Sequence, residues 1–143
     1  MSDTGAVILD THVWVWAMAG APQLRSQPAR RAIERASEYA QLHLCSISLL
    51  ELGVLAAAGR VSFTLALEEW VAQALKTPGL VVSQLVHPIA LEAARLPGEF
   101  AGDLFDRVIA ATARKLGGTL LTADRRLLTY GEQGYLTALN PTS

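Results

Sequence analysis

Short apolar segments recur along this chain, and their spacing limits the folds open to it. We predict strands over residues 6–9, 41–45, 80–83 and 119–122, with a further edge strand over 135–139. Strands that are apolar on both faces are typical of a parallel sheet covered by helices. Because helical segments separate these strands, the sequence predicts an α/β fold with right-handed crossovers.

The segments between the strands carry helix signals at their ends. We predict helices over residues 11–19, 26–37, 47–58, 65–76, 88–96, 103–116 and 124–129. Pro28 and Pro88 fall in first turns, where proline is favoured, and Gly20, Gly59 and Gly117 follow last turns, where glycine ends a helix. The length fits a single domain over residues 1–143.

Composition narrows the functional classes. The 143 residues are 51% hydrophobic with a net charge of −1, so the chain can build a core and is not a polycation that coats nucleic acid. The lone Cys45 excludes an intrachain disulfide and a cysteine-cluster metal site. Residues 1–5 carry no basic leader and no apolar stretch reaches the length of a membrane span. We therefore expect a soluble, cytoplasmic protein without membrane contact.

Carboxylic acids follow the predicted strands. Asp10 ends the first strand, Glu51 lies in the first turn of the helix after the second, and Asp124 comes two residues after the fourth. Asp103 and Asp106 are three apart in the first turn of a long helix, so they share one face. Because the crevice of an open α/β sheet lies outside the carboxyl ends of its strands, we expect at least three of these segments to meet there.

Each acid also has a local explanation. Asp10, Asp103 and Asp124 suit helix N-caps, and Asp106 at N3 is favoured by the helix dipole. Ser48 with Glu51 has the S-x-x-E spacing of a capping box. Carboxylates crowded at one sheet edge repel one another, however, and a bound divalent cation removes that conflict. All-oxygen ligands favour Mg²⁺ or Mn²⁺ over softer metals.

The chemistry that suits such a site is metal-assisted hydrolysis. The cation lowers the pKa of a bound water and offsets charge on a phosphodiester oxygen, while a carboxylate not used by the metal orients the water as general base. The residues leave open which acid does this and whether one or two ions bind. His12, His43 and His87 are scattered, so no histidine cluster offers a competing metal site.

The acids lie in four ordered segments: residues 7–14 (VILDTHVW), 46–53 (SISLLELG), 102–113 (GDLFDRVIAATA) and 120–124 (LLTAD). Each segment is weakly specific alone, but the ordered set strongly resembles the motifs of PIN-domain ribonucleases of the VapC type, the toxins of bacterial toxin–antitoxin pairs. Leu104 stands where proline is usual in the third motif, and no acid is missing.

The resemblance implies a PIN-like three-layer α/β/α sandwich with a central, mostly parallel sheet of four to five strands. It also implies an endoribonuclease that uses Mg²⁺ or Mn²⁺. The catalytic acids it implies are Asp10, Glu51, Asp106 and Asp124. The same acids and Asp103 would hold the metal, and the motif leaves open whether Asp103 or Asp106 is the main third ligand. Thr122 matches a family hydroxyl that hydrogen-bonds near the site.

Basic residues near the third and fourth motifs are candidates for contacts to the RNA backbone. They are Arg107, Arg114, Lys115, Arg125 and Arg126. A second basic group, residues 25–35, lies on a predicted helix whose charges also suit a solvated face. For Arg107, pairing with an acid of the site is a strong alternative.

The resemblance further implies a VapB-like antitoxin, whose C-terminal segment lies over the site, and a homodimer. An apolar groove formed by Val13, Trp16 and the helix at 49–55 would suit a bound helical segment, although filling the core explains most of these side chains better. Trp14 and Trp16 are two apart and cannot share a helix face, so we expect one of them at the rim of the site or against another chain.

Two other functions compete with the nuclease. A non-catalytic PIN-like binding module would use the acids only as caps or docking groups. An aspartate-nucleophile phosphatase would need a second Asp two residues after Asp10, where His12 stands instead, and is disfavoured. A response of thermal unfolding to Mg²⁺ or Mn²⁺ separates the nuclease from the binding module, because a ligand that binds only the native state stabilises it.

Overall fold

A five-stranded sheet forms the centre of the computed structural model, which describes residues 5–143. The strands are β1 (Val7–Leu9), β2 (Leu42–Cys45), β3 (Leu80–Ser83), β4 (Thr119–Leu121) and β5 (Thr137–Leu139). Every pairing is parallel, in the order β3-β2-β1-β4-β5. The prediction of a mostly parallel sheet of four to five strands is confirmed. The expectation that residues 1–5 carry no basic leader falls largely on residues 1–4, which lie outside the described residues.

Seven helices in residues 5–143 connect and cover these strands. They are α1 (Thr11–Ala19), α2 (Gln27–Glu38), α3 (Ile47–Ala57), α4 (Leu67–Ala74), α5 (His87–Ala94), α6 (Leu104–Leu116) and α7 (Arg125–Glu132). Glycine ends α1 and α6: Gly20 and Gly117 adopt the left-handed conformation at φ 61° and 63°. Both are positions where the sequence predicts a helix end.

The strand side chains separate the core into two layers. Ile8 and Leu120 point to the layer that contains Ile109 of α6, whereas Leu9 and Leu121 point to the layer that contains Trp14 of α1. All of these side chains are fully buried. Because successive strand residues face opposite sides of the sheet, apolar runs without alternation are what a sheet covered on both faces requires. The result is the three-layer α/β/α arrangement predicted from the sequence.

The last strand is shorter than predicted. It covers Thr137–Leu139 and not 135–139, and the guanidinium of Arg114 donates a hydrogen bond to the carbonyl oxygen of Tyr135. A side chain thus occupies a backbone acceptor that a longer strand would use. Helix α7 continues to Glu132, three residues beyond its predicted end. None of the helices in the described residues is both long and apolar enough to cross a membrane.

Gly118 allows the chain at the start of β4 to approach the start of β1 closely. A Cβ atom there would lie 2.4 Å from the carbonyl oxygen of Ala6, whereas a Cβ at Gly53 in α3 would meet no atom closer than 4.0 Å. We predict that Gly118→Ala lowers the free energy of unfolding by about 1–3 kcal/mol through overpacking. Gly53→Ala should raise it by roughly 0.5–1 kcal/mol, because alanine favours the helix. Urea denaturation of both variants measures this, and equal stability of the two would contradict the role of Gly118.

Candidate acidic site

Asp10 and Asp124 lie at the carboxyl ends of the adjacent strands β1 and β4, where Thr122 links them. The Thr122 hydroxyl donates to Asp10 Oδ2 at 2.7 Å and accepts from the backbone N–H of Asp124 at 3.0 Å. Asp10 Oδ1 accepts from the N–H of Thr11 at 2.8 Å. Both oxygens of Asp10 are therefore held by the protein, and its carboxylate has a defined orientation. Thr122 is completely buried beside the site, as the family hydroxyl position implied.

Glu51 reaches the same edge from the first turns of α3. The hydroxyl of Thr11 lies 2.6 Å from Glu51 Oε1 and 2.8 Å from the hydroxyl of Ser48. The capping-box explanation of Ser48 and Glu51 is wrong, because Ser46 occupies the N-cap and makes no side-chain cap hydrogen bond. Glu51 instead binds across to the residue that follows Asp10.

Asp103 and Asp106 form the capping box of α6. Asp103 Oδ1 accepts from the N–H of Asp106 at 2.9 Å, and Asp106 Oδ2 accepts from the N–H of Asp103 at 3.3 Å. The local explanation of Asp103 as an N-cap is therefore confirmed. The two differ in burial, since Asp103 is exposed and Asp106 is only 7% exposed.

The pKa values of three acids are raised by burial and by the charges of the others. Burial raises the pKa of Asp106 to about 7, and the negative charges of Asp103, Asp124 and Asp10 add to the effect. The pKa of Glu51 is raised by burial and by the charges of Asp10 and Asp103, against the hydrogen bond from Thr11. Burial also raises the pKa of Asp10, with a smaller contribution from Asp124. All five acids thus interact through space, although they come from four separate segments.

Asp124 also has the local role that its position suggested. Its Oδ1 accepts from the N–H groups of Arg126 and Leu127 at 2.8 and 3.4 Å and so caps α7, as Asp10 caps α1. Capping and membership of the cluster are compatible, because each carboxylate has more lone pairs than its cap uses. The two explanations offered by the sequence therefore apply together.

The donor set suits a hard divalent cation. It consists of carboxylate oxygens. Within residues 5–143, none of the five acids forms an ion pair with a basic side chain; the ion pair found there joins Arg114 to Glu92 at 2.7 Å. In the same residues, no group of three Asp, Glu, His or Cys side chains is arranged to coordinate a metal ion by itself. Mg²⁺ does not need such a cage, since it keeps several waters and uses one or two carboxylates together with substrate phosphates.

Arg107 does not pair with an acid of the site. Its Nε donates to the carbonyl of Ala93 at 2.8 Å and its Nη2 to the carbonyl of Ala94 at 3.5 Å. These carbonyls belong to the last turn of α5, where a cation is favoured by the helix dipole. The prediction that Arg107 pairs with a site acid is wrong, and its role in this structure is to join α5 to α6.

The tryptophan and groove predictions are corrected in part. Val13 and Trp14 are completely buried in the core, so neither lines a groove or a rim. The Trp14 ring makes an edge contact with Trp70 at a centroid distance of 5.1 Å. Trp16 is half-buried and also packs against this core, with its ring 6.4 Å from that of the exposed His12.

Two hydroxyls of the site escaped the sequence reasoning. Thr11 was visible as the residue after Asp10, and Ser48 as the residue three before Glu51, but the capping-box spacing gave Ser48 a different partner. Their convergence depends on the packing of α1 against α3, which no local spacing reveals.

The family model for the PIN domain matches residues 7–133. The chain belongs to the PIN domain family. The matched range contains all five acids of the cluster. A curated relative, ribonuclease VapC22 from Mycobacterium tuberculosis (strain ATCC 25618 / H37Rv), is 39% identical over 124 residues, which cover 85% of this PIN domain protein and 88% of the relative.

Solved structures show the same fold. The structure of VapBC2 from Rickettsia felis bound to a DNA fragment from its promoter matches with a TM-score of 0.67 at 18% identity, covering 94% of this chain and 98% of that chain. A toxin–antitoxin complex from Klebsiella pneumoniae matches with a TM-score of 0.62 at 19% identity, covering 95% and 98%. The predicted PIN-like α/β/α fold is confirmed.

Neutralising Asp106 should stabilise the metal-free PIN domain. The native state holds the Asp106 proton up to its pKa of about 7, whereas the unfolded chain loses it near 3.8, so stability falls as pH rises through this window. We predict that Asp106→Asn, which keeps an acceptor for the N-cap, raises the unfolding free energy by about 1–2 kcal/mol at pH 8. The gain should nearly vanish at pH 4.

Urea denaturation in EDTA at the two pH values measures this difference. Glu38→Gln on α2 serves as the control, since an exposed substitution changes stability by no more than about 0.5 kcal/mol. Destabilisation by Asp106→Asn at pH 8 would contradict the raised pKa of Asp106 on which the prediction rests.

Proposed function

We propose that this PIN domain protein is an endoribonuclease that requires Mg²⁺ or Mn²⁺ and acts as the toxin of a toxin–antitoxin pair. One observation carries the proposal: carboxylates from four segments converge at the carboxyl edge of the sheet with no basic side chain of residues 5–143 paired to them. The 39% identity to a ribonuclease of the VapC type supports RNA as the substrate. We place the whole activity in one domain spanning residues 1–143, acting in the cytoplasm.

We assign the catalytic and metal-binding roles to Asp10, Glu51, Asp106 and Asp124. Asp106 is the main third acid, because it is buried and feels the charges of both Asp10 and Asp124. Exposed Asp103 contributes charge at the rim and caps the helix that carries Asp106. Thr122 orients Asp10 through the hydrogen bond to Oδ2.

A bound cation would activate water and offset the charge that develops on the phosphodiester oxygens. The protein supplies the remaining requirements. The fixed carboxylate of Asp10 sets the position of the charge, and the carboxylate oxygens without protein hydrogen bonds are available to orient the attacking water and accept its proton. Glu51 Oε2 is one such oxygen, since the described contact of Glu51 uses Oε1.

The antitoxin and a second copy of the chain are the protein partners we propose. A structure with the same fold, from Klebsiella pneumoniae, is a toxin–antitoxin complex. Large apolar side chains are exposed on α3, α5, α6 and the segment after β3: Leu50, Val54, Leu85, Val86, Leu91 and Leu104. Three of them, Leu50, Leu85 and Leu104, line an apolar cavity of about 570 Å³ that also touches Asp103. Exposed apolar patches of this kind mark protein interfaces.

Removing the charge of Asp10 should abolish the activity. We predict that Asp10→Asn lowers the rate of Mn²⁺-dependent RNA cleavage by roughly 100-fold or more, the scale of losing one positioned catalytic group. It should also remove the stabilisation by Mn²⁺, which for the unmodified protein reaches roughly 2.7 kcal/mol at 100 times the dissociation constant. Gel assays of RNA cleavage and thermal unfolding measure the two effects.

Glu38→Gln on the remote α2 is the matched control and should behave as the unmodified protein does in both assays. If Mn²⁺ leaves the thermal unfolding of the unmodified protein unchanged, the non-catalytic binding module is the better description. If Asp10→Asn cleaves RNA normally, the assignment of Asp10 is wrong.

Arg125 and Arg126 are the best-placed cations for the RNA backbone. Both are exposed in the first turn of α7 directly after Asp124, and within residues 5–143 neither side chain makes a recorded hydrogen bond or ion pair. Arg114, in contrast, is held by Glu92, and Lys115 lies in the last turn of α6. A positive charge in a first turn opposes the helix dipole, so a phosphate nearby would relieve an unfavourable interaction.

We predict that the double variant Arg125→Ala/Arg126→Ala weakens RNA binding about tenfold at low salt. It should also make the negative slope of log affinity against log salt shallower by about 1.4, the loss of two phosphate contacts. Filter binding in EDTA, without cleavage, measures both values. Arg60→Ala/Lys76→Ala removes the same charge from exposed positions that follow α3 and α4. An equal loss in this control would show that only the net charge matters.

A further inference from the structure

Thr11 occupies a position between two acids of the site. Its backbone N–H donates to Asp10 Oδ1 at 2.8 Å, and its hydroxyl lies 2.6 Å from Glu51 Oε1. The same hydroxyl lies 2.8 Å from the hydroxyl of Ser48. One residue in the first turn of α1 thus contacts the first acid through its backbone and the second acid through its side chain.

Counting protons fixes the direction of these hydrogen bonds. A threonine hydroxyl has one proton and two acceptor lone pairs. At 2.6 Å from a carboxylate, the Thr11 proton belongs in the bond to Glu51, because an ionised acceptor makes the shorter and stronger bond. The bond to Ser48 must then run the other way, with the Ser48 hydroxyl donating to Thr11 Oγ1.

Both hydroxyls are completely buried, so water does not compete for these bonds. A chain of aligned donors strengthens each bond in it, and donation by Ser48 makes Thr11 a better donor to Glu51. Threonine is also stiff about χ1, and its backbone is held by Asp10. The position of Glu51 Oε1 relative to Asp10 is therefore set by short, rigid connections.

We propose that Ser48 and Thr11 form a hydroxyl relay that positions Glu51, leaving Oε2 directed to the site for the cation or its water. The inference rests on the proposed function, because it assigns Glu51 a role toward a bound cation. Neither Ser48 nor Thr11 contacts the reacting atoms in this scheme. They are positioning residues, and their effect on cation binding passes through Glu51.

Mn²⁺ titration calorimetry of the whole chain tests the relay, with thermal unfolding in EDTA as the measure of folding. Thr11→Val removes the hydroxyl at nearly constant shape and should weaken Mn²⁺ binding about tenfold, the scale for the loss of an outer-shell partner. Thr11→Ser retains the hydroxyl and should restore most of the affinity. Ser48→Ala should weaken binding by about threefold, since it only removes the reinforcement of the Thr11 bond.

Thr112→Val is the matched control. Its hydroxyl is buried like that of Thr11 but donates to the carbonyl of Val108 within α6 at 2.8 Å. This variant should bind Mn²⁺ as the unmodified protein does. If Thr11→Val does not fold, the loss with Ser48→Ala and the retained affinity of Thr11→Ser decide the question.

A double-mutant cycle identifies the residue through which the relay acts. In a Glu51→Ala background, Thr11→Val should weaken Mn²⁺ binding no further, because the group that it positions is absent. The same tenfold loss in that background would overturn the relay. The relay would also be overturned if the unmodified protein binds Mn²⁺ and both Thr11→Val and Ser48→Ala bind it with the same affinity. Failure of the unmodified form to bind Mn²⁺ instead contradicts the proposed function.

Discussion

The parallel sheet holds together acidic side chains that repel one another, and the rest of the site depends on this constraint. Strand β1 pairs with β2 on one side and β4 on the other, so the helices that follow these strands begin at one edge. Asp10, Glu51 and Asp124 are brought there by backbone pairing and apolar burial and not by attraction among themselves. Burial of several charges costs free energy, and burial together with the neighbouring carboxylates raises the pKa of Asp106 to about 7. The buried apolar layers on both sides of β1 offset it.

Hydrogen bonds from neutral groups control the orientation of the acids without cancelling their charge. Thr122 and the backbone of Thr11 hold Asp10, and the Thr11 hydroxyl holds Glu51. A lysine or arginine in the same places would have neutralised the cluster and competed with a cation. Hydroxyl and amide donors instead preserve the negative potential that a hard cation needs.

Much of the fold was predictable because the apolar segments are short, lack alternation and end at clear helix signals. The acids were predictable because the chemistry of a parallel sheet concentrates at its carboxyl edge. The hydrogen-bond partners of the side chains could not be predicted from the sequence. Ser48 has the spacing of a capping box yet bonds to Thr11, and Arg107 follows Asp106 yet bonds to carbonyls of α5. Such partners depend on how helices pack, and sequence spacing along one helix carries no information about its neighbour.

The two edges of the sheet limit how this molecule can assemble. The edge strands β3 and β5 contain four and three residues, and the Tyr135 carbonyl just before β5 is already taken by the Arg114 side chain. Such short strands offer an incoming chain little length for pairing, and short edge strands are a known defence against edge-to-edge aggregation. Short edges favour binding through helix surfaces, where side-chain shape rather than backbone pairing selects a partner.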